Sequence, residues 1–124
     1  MTTEKLPLIL VVDDVEEDRI YLRSILERGG FGVCVAETAE DGLQQARQRN
    51  PSLIVMDVKL PGISGMEATR RLKLDPLTAR TPVIVVTAHP LERRDMRSAR
   101  HDVLMQKPVD EQVLLLEVRR LVAG

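Results

Sequence analysis

Five short apolar segments are separated by stretches in which apolar residues recur at helical spacing. The segments lie at residues 8–12, 32–36, 53–56, 83–86 and 103–105, the last being the weakest. The stretch after the first segment carries an apolar stripe at Leu22, Ile25 and Leu26 in charged surroundings, which is typical of an amphipathic helix. The pattern therefore predicts a strand followed by a helix, repeated five times.

The apolar segments are continuous and do not alternate with polar residues, so both faces of each strand are expected to be buried. A parallel sheet covered by helices on both sides satisfies that requirement. We therefore expect an α/β domain with a doubly wound, five-stranded parallel sheet. Because no linker, repeat or low-complexity stretch interrupts the pattern, we expect residues 1–124 to form one domain with its core in 8–122.

Composition narrows the functional classes. The 124 residues carry a net charge of −1, with one Tyr, one Phe and no Trp, which argues against direct nucleic-acid binding. The single cysteine, Cys34, excludes an internal disulfide, and its apolar surroundings predict a buried core thiol. No apolar run approaches the roughly 18 residues needed to cross a membrane, and no secretion-type segment follows the first residues. These features predict a cytoplasmic protein that does not bind membranes.

Four of the five predicted strands are followed by polar or ionisable residues. In an open parallel sheet, ligands bind beyond the carboxyl ends of the strands, where the winding reverses. The residues delivered to that edge are Asp13, Asp14, Asp57, Thr87 with Ala88, and Lys107. An Asp-Asp pair alone is often only a turn with a helix cap, but the joint occurrence of all four groups favours a functional site.

Three carboxylates at one sheet edge require a compensating cation. At separations of 4–6 Å they would repel by roughly 3–4 kcal/mol per pair at an effective dielectric constant near 20. Oxygen ligands suit Mg²⁺, with Mn²⁺ as an alternative. Asp57 would then be both a ligand and a nucleophile that forms an acyl phosphate, with Lys107 supplying positive charge and Thr87 a hydroxyl donor.

With these motifs the chain resembles a response-regulator receiver domain of two-component signalling. The matching pieces are LILVVDD at 8–14, LIVMDVKLPGISG at 53–65, VIVVTA at 83–88 and Lys107-Pro108. The resemblance implies a flavodoxin-like, CheY-like fold with strand order 2-1-3-4-5. It also implies a signalling module, not a turnover enzyme, that takes a phosphoryl group from a phosphohistidine of a histidine kinase or phosphotransfer protein.

The resemblance also implies a role for each site residue. Asp57 would be the phospho-acceptor, and Mg²⁺ would be bound by Asp13, Asp14, Asp57 and the main-chain carbonyl of Lys59. Thr87, Lys107 and the backbone of Ala88 would contact the phosphoryl group. The Lys107–Pro108 peptide bond is expected to be cis. Lys59 and His89 occupy positions that border the phosphoryl group in receivers, and are candidate modulators of its lifetime.

Two positions depart from the receiver pattern. Receivers usually carry an aromatic residue where this chain has Leu104, so the aromatic half of the usual switch is missing. Arg100-His101 replaces the Gly-Ala that family members tend to have before strand five.

The output surface is predicted from the last helix. Val113 and Leu116 lie off its core stripe and are expected to share an outward apolar patch with Leu104, while Thr87 completes the switch. The alternative is that a leucine-rich helix merely exposes two apolar residues, in which case the first helix around Tyr21 is the next candidate surface. The output itself would be self-association or binding to another protein.

Other functional classes fit less well. A haloacid-dehalogenase-like phosphatase also uses a strand-end aspartate and Mg²⁺, but that family places Asp-x-Asp after its first strand, whereas here Asp57-Val-Lys follows the third. An unphosphorylated receiver-like scaffold is disfavoured because every expected site residue is present. A nucleotide-binding domain is disfavoured because the glycines at 29–32 precede a strand and lack the required spacing.

Overall fold

Strands and helices alternate along the residues that the computed structural model describes, 6–88 and 100–124. The elements are β1 (Leu8–Val12), α1 (Glu16–Arg28), β2 (Gly32–Ala36), α2 (Ala39–Arg49), β3 (Leu53–Asp57), α3 (Gly65–Leu74), β4 (Val83–Thr87), β5 (Val103–Gln106) and α4 (Glu111–Ala123). All five predicted strands and four of the five predicted helices are present. The helix predicted between β4 and β5 falls mainly on 89–99, outside the described residues.

The five strands form one parallel sheet with the order β2-β1-β3-β4-β5. In its centre Leu10 pairs with Cys34 of β2 on one side and Ile54 of β3 on the other. From β1 the chain proceeds to β2 on one side of the sheet, and from β3 it proceeds to β4 and β5 on the other side. The topological switch point therefore lies between β1 and β3. The predicted fold class and strand order are confirmed.

The sheet separates two apolar cores because successive side chains of a strand point to opposite faces. Ile9 and Val11 face α1 and α4, in a cluster defined here as the α1–α4 face. Leu10 and Val12 face α2 and α3, in the α2–α3 face. Every residue of β3 and β4 is buried, which explains why these segments are apolar without alternation.

Side-chain caps set where three of the helices begin. Thr38 accepts a hydrogen bond from the Asp41 backbone amide at 3.1 Å, Ser64 from Glu67 at 3.1 Å, and Asp110 from Val113 at 3.0 Å. Such caps satisfy backbone donors that the helix itself leaves unpaired. Since the loops that lead into α2 and α3 leave the carboxyl ends of β2 and β3, these caps help to fix the loops at that edge of the sheet.

Two further expectations concern Cys34 and membranes. Cys34 is expected to be buried, but it is only partly buried, because β2 is an edge strand in which four of the five residues are partly buried. Partial burial raises the pKa of its thiol. Within 6–88 and 100–124, no helix is long and apolar enough to cross a membrane.

Candidate functional site

The polar residues at the carboxyl edge of the sheet come together as predicted. Asp57 and Thr87 are the last residues of β3 and β4, one position further into the sheet than the apolar pattern indicated. Both are held there by strand pairing, Asp57 opposite Val86 and Thr87 opposite Gln106. Their backbones are therefore fixed by the central strands and not by loops.

Three carboxylates form a tight acidic cluster. Asp13, Asp14 and Asp57 each offer one oxygen atom, and these atoms all lie within 4.8 Å of one another. Asp13 and Asp57 are buried, whereas Asp14 is exposed. Burial raises the pKa of Asp57 to about 6, and the neighbouring charge of Asp13 adds to the effect, although Lys107 opposes it. At neutral pH Asp57 is therefore still mostly ionised, in surroundings with excess negative charge.

Lys107 provides the positive charge closest to this cluster among the residues described. Its Nζ atom donates hydrogen bonds to Oδ2 of Asp13 and Oδ2 of Asp18, both at 2.8 Å, and lies 3.6 Å from Oδ1 of Asp57. Partial burial alone would lower the pKa of Lys107, but the hydrogen bonds to the two carboxylates outweigh it and raise that pKa above its usual range. Lys107 thus stays charged throughout the physiological pH range.

Asp13 is held by two hydrogen bonds besides its contact with Lys107. Its Oδ1 accepts the backbone amide of Val15 at 3.0 Å, so that the carboxylate also stabilises the start of α1. Its main-chain carbonyl accepts a hydrogen bond from Arg19 at 2.8 Å, and Arg19 extends to Glu37 at 3.3 Å. These contacts hold the first carboxylate of the cluster in place without using the oxygen that faces Lys107.

The cluster lies in a cleft of about 270 Å³. The cleft is lined by Asp14, Val15, Asp18, Asp57, Lys59, Thr87, Ala88 and Lys107. Thr87 is buried, while Lys59 and Ala88 are exposed at the rim. The Lys107–Pro108 peptide bond is cis. His89 lies outside the described residues.

The loop after β3 packs very closely against Asp57. The Gly65 amide donates to the Val58 carbonyl at 2.8 Å, which brings the start of α3 back onto the strand. A Cβ atom on Gly65 would lie 1.8 Å from the main-chain oxygen of Asp57. Only glycine is therefore compatible with this approach between helix and strand.

Sequence reasoning did not identify Asp18, Arg19 or Gly65 as site residues. Asp18 and Arg19 lie in the charged run 16–19, which looks like the ordinary acidic first turn of a helix. Their contacts with Lys107 and Asp13 depend on how α1 packs against β1, β2 and α4, which helical periodicity does not specify. Gly65 was noted only as part of a motif.

The predicted output residues do not lie on one face of the sheet. Val113 and Leu116 are exposed on α4, which covers the α1–α4 face. Leu104 is partly buried and packs against the α2–α3 face, because it alternates with the inward-facing Met105 along β5. A surface shared by all three would have to extend around the edge strand β5.

The donor set is suited to a hard divalent cation. Three converging carboxylates, two of them buried, leave more negative charge than Lys107 alone balances, and all the side-chain donors are oxygen atoms. Mg²⁺ prefers such ligands and usually takes only one or two protein carboxylates, with positions left for water or phosphate. The residues present therefore fit a magnesium site.

The sequence is similar to those of response regulators. The family model of the response regulator receiver domain matches residues 9–119. The chain is 38% identical over 118 residues to protein PilH of Pseudomonas aeruginosa, a match that covers 94% of this chain and 98% of PilH. It spans only 50% and 52% of two other curated relatives, both transcriptional regulatory proteins.

The fold is similar to those of solved receiver domains. A CheY-like receiver domain protein from Methanospirillum hungatei matches with a TM-score of 0.88 at 28% identity, over 96% of this chain and 95% of that one. The receiver domain of a sensor histidine kinase from Pseudomonas aeruginosa, solved with a magnesium ion coordinated in its active-site cleft, matches with a TM-score of 0.88 at 23% identity, over 98% of this chain and 100% of that one.

Proposed function

The chain belongs to the response regulator receiver domain family of two-component signalling, and on this premise we propose that it accepts a phosphoryl group on Asp57 and signals by phosphorylation-dependent protein binding. The observation that carries the proposal is the position of Asp57, a buried carboxylate at a strand end that belongs to the acidic cluster and lies 3.6 Å from the ammonium of Lys107. The direct test is mass-spectrometric detection of one phosphoryl group on Asp57 after incubation with acetyl phosphate and Mg²⁺.

In the proposed transfer the phosphoryl donor is a phosphohistidine of a histidine kinase or phosphotransfer protein. A carboxylate oxygen of Asp57 forms a new bond to phosphorus, while the bond from phosphorus to the imidazole nitrogen breaks. The electron pair of that bond leaves with the imidazole, which takes a proton from solvent. The products are an acyl phosphate on Asp57 and a free histidine, and later attack by water on phosphorus releases phosphate and restores the carboxylate.

The remaining site residues serve positioning and charge stabilisation in this proposal. Lys107 donates to an oxygen of the transferred phosphoryl group, and Thr87 and the backbone amide of Ala88 provide further donors from the end of β4. The resemblance to receivers implies that Lys59 and His89 influence the lifetime of this group. In this proposal these groups stabilise one phosphoryl group that the protein itself carries on Asp57. The domain therefore acts as a signalling module and not as a turnover enzyme.

Mg²⁺ would be held by Asp13, Asp14, Asp57 and the main-chain carbonyl of Lys59, with Mn²⁺ as an alternative. When bound, the metal supplies positive charge that offsets the carboxylates and the incoming phosphoryl oxygens. The protein contributes a preformed set of ligands, because Asp13 is already oriented by Val15 and Arg19.

Added Mg²⁺ is expected to raise the melting temperature. At a free concentration of ten times Kd, binding to the folded state alone stabilises it by about 1.4 kcal/mol, which corresponds to a shift of about 3–6 °C for a domain of this size. Asp14→Ala should weaken this response, and should fold normally because Asp14 is exposed. The measurement is thermal unfolding over a Mg²⁺ titration. A melt that does not respond at millimolar Mg²⁺ would contradict the proposed ligand set.

The proposed output surface is centred on α4, and we expect Leu116→Ser to reduce phosphorylation-dependent self-association while leaving labelling of Asp57 unchanged. Leu116 is 66% exposed on α4, so its replacement should not disturb the core. Leu77→Ser is the matched control, because Leu77 is 62% exposed in the connection after α3. Light scattering on the acetyl-phosphate-treated proteins measures the difference. Equal association of both variants and the parent would remove α4 from the output surface.

A further inference from the structure

Asp18 makes a contact that its place in the helix does not explain. It is the third acidic residue in the first turn of α1, after Glu16 and Glu17, and acidic residues there are ordinarily favoured by the helix dipole. Glu16 and Glu17 are exposed, as this reason alone would allow. Asp18 lines the cleft instead, and its Oδ2 accepts a hydrogen bond from Nζ of Lys107 at 2.8 Å.

The ammonium of Lys107 divides its donors unequally among three carboxylates. It has three N–H groups, and two are engaged by Asp13 and Asp18 at hydrogen-bond distance. Asp57 lies 3.6 Å away, beyond an ordinary hydrogen bond. The cation that is nearest to the proposed phospho-acceptor is therefore bound mainly to two other groups.

Asp18 is the more readily exchanged of these two partners. The side chain of Asp13 is fully buried, and that of Asp18 is 40% exposed. Asp18 and Lys107 also line a second cavity of about 320 Å³. This cavity is lined further by Tyr21, Leu22, Pro108 and Val109, and the Tyr21 hydroxyl donates a hydrogen bond to the Val109 carbonyl at 2.7 Å. The contact with Asp18 therefore draws the ammonium toward α1.

We propose that Asp18 is a positioning residue that competes with the phosphoryl group for Lys107. This inference rests on the proposed function and adds a determinant to the same site. In the unphosphorylated domain Asp18 holds the ammonium beside α1, so that a phosphoryl group on Asp57 receives only the third N–H group unless it draws the ammonium away from Asp18. Asp18 thus lowers the affinity of the cleft for phosphoryl oxygens by acting through Lys107.

The test compares the binding of beryllium trifluoride, a mimic of the phosphoryl group, at fixed Mg²⁺. Asp18→Asn removes the negative charge but keeps the side-chain shape, and should lower the dissociation constant by about threefold or more. Glu17→Gln is the matched control, since it removes the same charge one position away on the exposed side of α1, and should change the constant by less than about 1.5-fold. Isothermal titration calorimetry provides the constants.

A second comparison separates an effect through Lys107 from a general effect of charge. The same Asp18→Asn change is made in a Lys107→Met background, where no ammonium is left to compete for, so that the gain in affinity should disappear. Nitrogen-15 NMR of the lysine side chains adds a readout without phosphate, metal or mimic. The Lys107 ammonium should exchange its protons faster with solvent in Asp18→Asn than in Glu17→Gln.

Each outcome bears on the proposal. An affinity for beryllium trifluoride that is equal in Asp18→Asn and Glu17→Gln overturns the role of Asp18, and so does a gain that persists with Lys107→Met. If the parent protein is still labelled on Asp57, the proposed function stands in both cases. If the parent protein neither binds the mimic nor is labelled by acetyl phosphate, the proposed function fails, and this inference fails with it.

Discussion

Replacing Asp57 with asparagine is expected to abolish covalent phosphorylation by acetyl phosphate in the presence of Mg²⁺. The amide keeps the size of the side chain, but it lacks the anionic oxygen that must attack phosphorus, so labelling should fall by at least about 100-fold. Because burial and the charge of Asp13 disfavour an ionised Asp57, the neutral amide should not destabilise the fold. Intact-protein mass spectrometry measures the labelled fraction directly.

Asp41→Asn provides the matched control for this experiment. Asp41 is an exposed aspartate on α2, so its replacement removes the same charge away from the cleft. The Asp41→Asn variant should be labelled to the same extent as the parent protein. Undiminished labelling of Asp57→Asn would show that the phosphoryl group is carried elsewhere, and would remove Asp57 from the role of acceptor.

Gly65→Ala is expected to destabilise the domain and to impair labelling of Asp57 together. The added Cβ would lie 1.8 Å from the main-chain oxygen of Asp57 and 2.7 Å from its carbonyl carbon, which is closer than nonbonded atoms can approach. Either α3 moves away from the sheet or the end of β3 shifts. Overpacking against backbone should lower the free energy of unfolding by about 3 kcal/mol, as measured by urea denaturation.

Gly32→Ala tests whether this effect is specific to the close approach. A Cβ on Gly32 would meet the nearest atom, Cδ1 of Leu8, at 3.8 Å, an ordinary van der Waals contact. The change should alter the free energy of unfolding by less than about 1 kcal/mol and leave labelling intact. Equal stability of the two alanine variants would mean that the junction between β3 and α3 is not as tight as described.

The fold and the acidic cluster were predictable because both depend on local patterns. A continuous apolar segment can only be buried on both faces, so β3 and β4 could be recognised without any knowledge of their partners. The convergence of Asp13 and Asp57 then follows from topology, since the carboxyl ends of parallel strands share one edge. A physical argument about charge was sufficient to expect a cation beside them.

The contacts of Asp18 and the orientation of Leu104 were not predictable in the same way. Asp18 and Lys107 are separated by 89 positions in the chain, and their contact depends on the packing of α1 against β1, β2 and α4. Leu104 is grouped with Val113 and Leu116 from the sequence because Leu104 occupies the usual aromatic position of receivers and the other two residues lie off the core stripe of the last helix. Its actual face is set by the register of β5 with β4, where Leu104 lies opposite Val85. The contacts of Asp18 and the face occupied by Leu104 both depend on tertiary packing, which the pattern of a single segment does not predict.

The pairing of Lys107 with Asp13 joins groups 94 positions apart, and this separation has a consequence for the order in which the protein is made. A chain synthesised from its N-terminus completes all three carboxylates long before the ribosome adds Lys107. β5 is an edge strand that pairs only with β4, so its lysine arrives with the last strand of the sheet. A nascent chain that stops at β4 therefore has the mutual repulsion of the carboxylates without the ammonium of Lys107, and the addition of β5 and Lys107 completes the sheet and offsets part of that repulsion together.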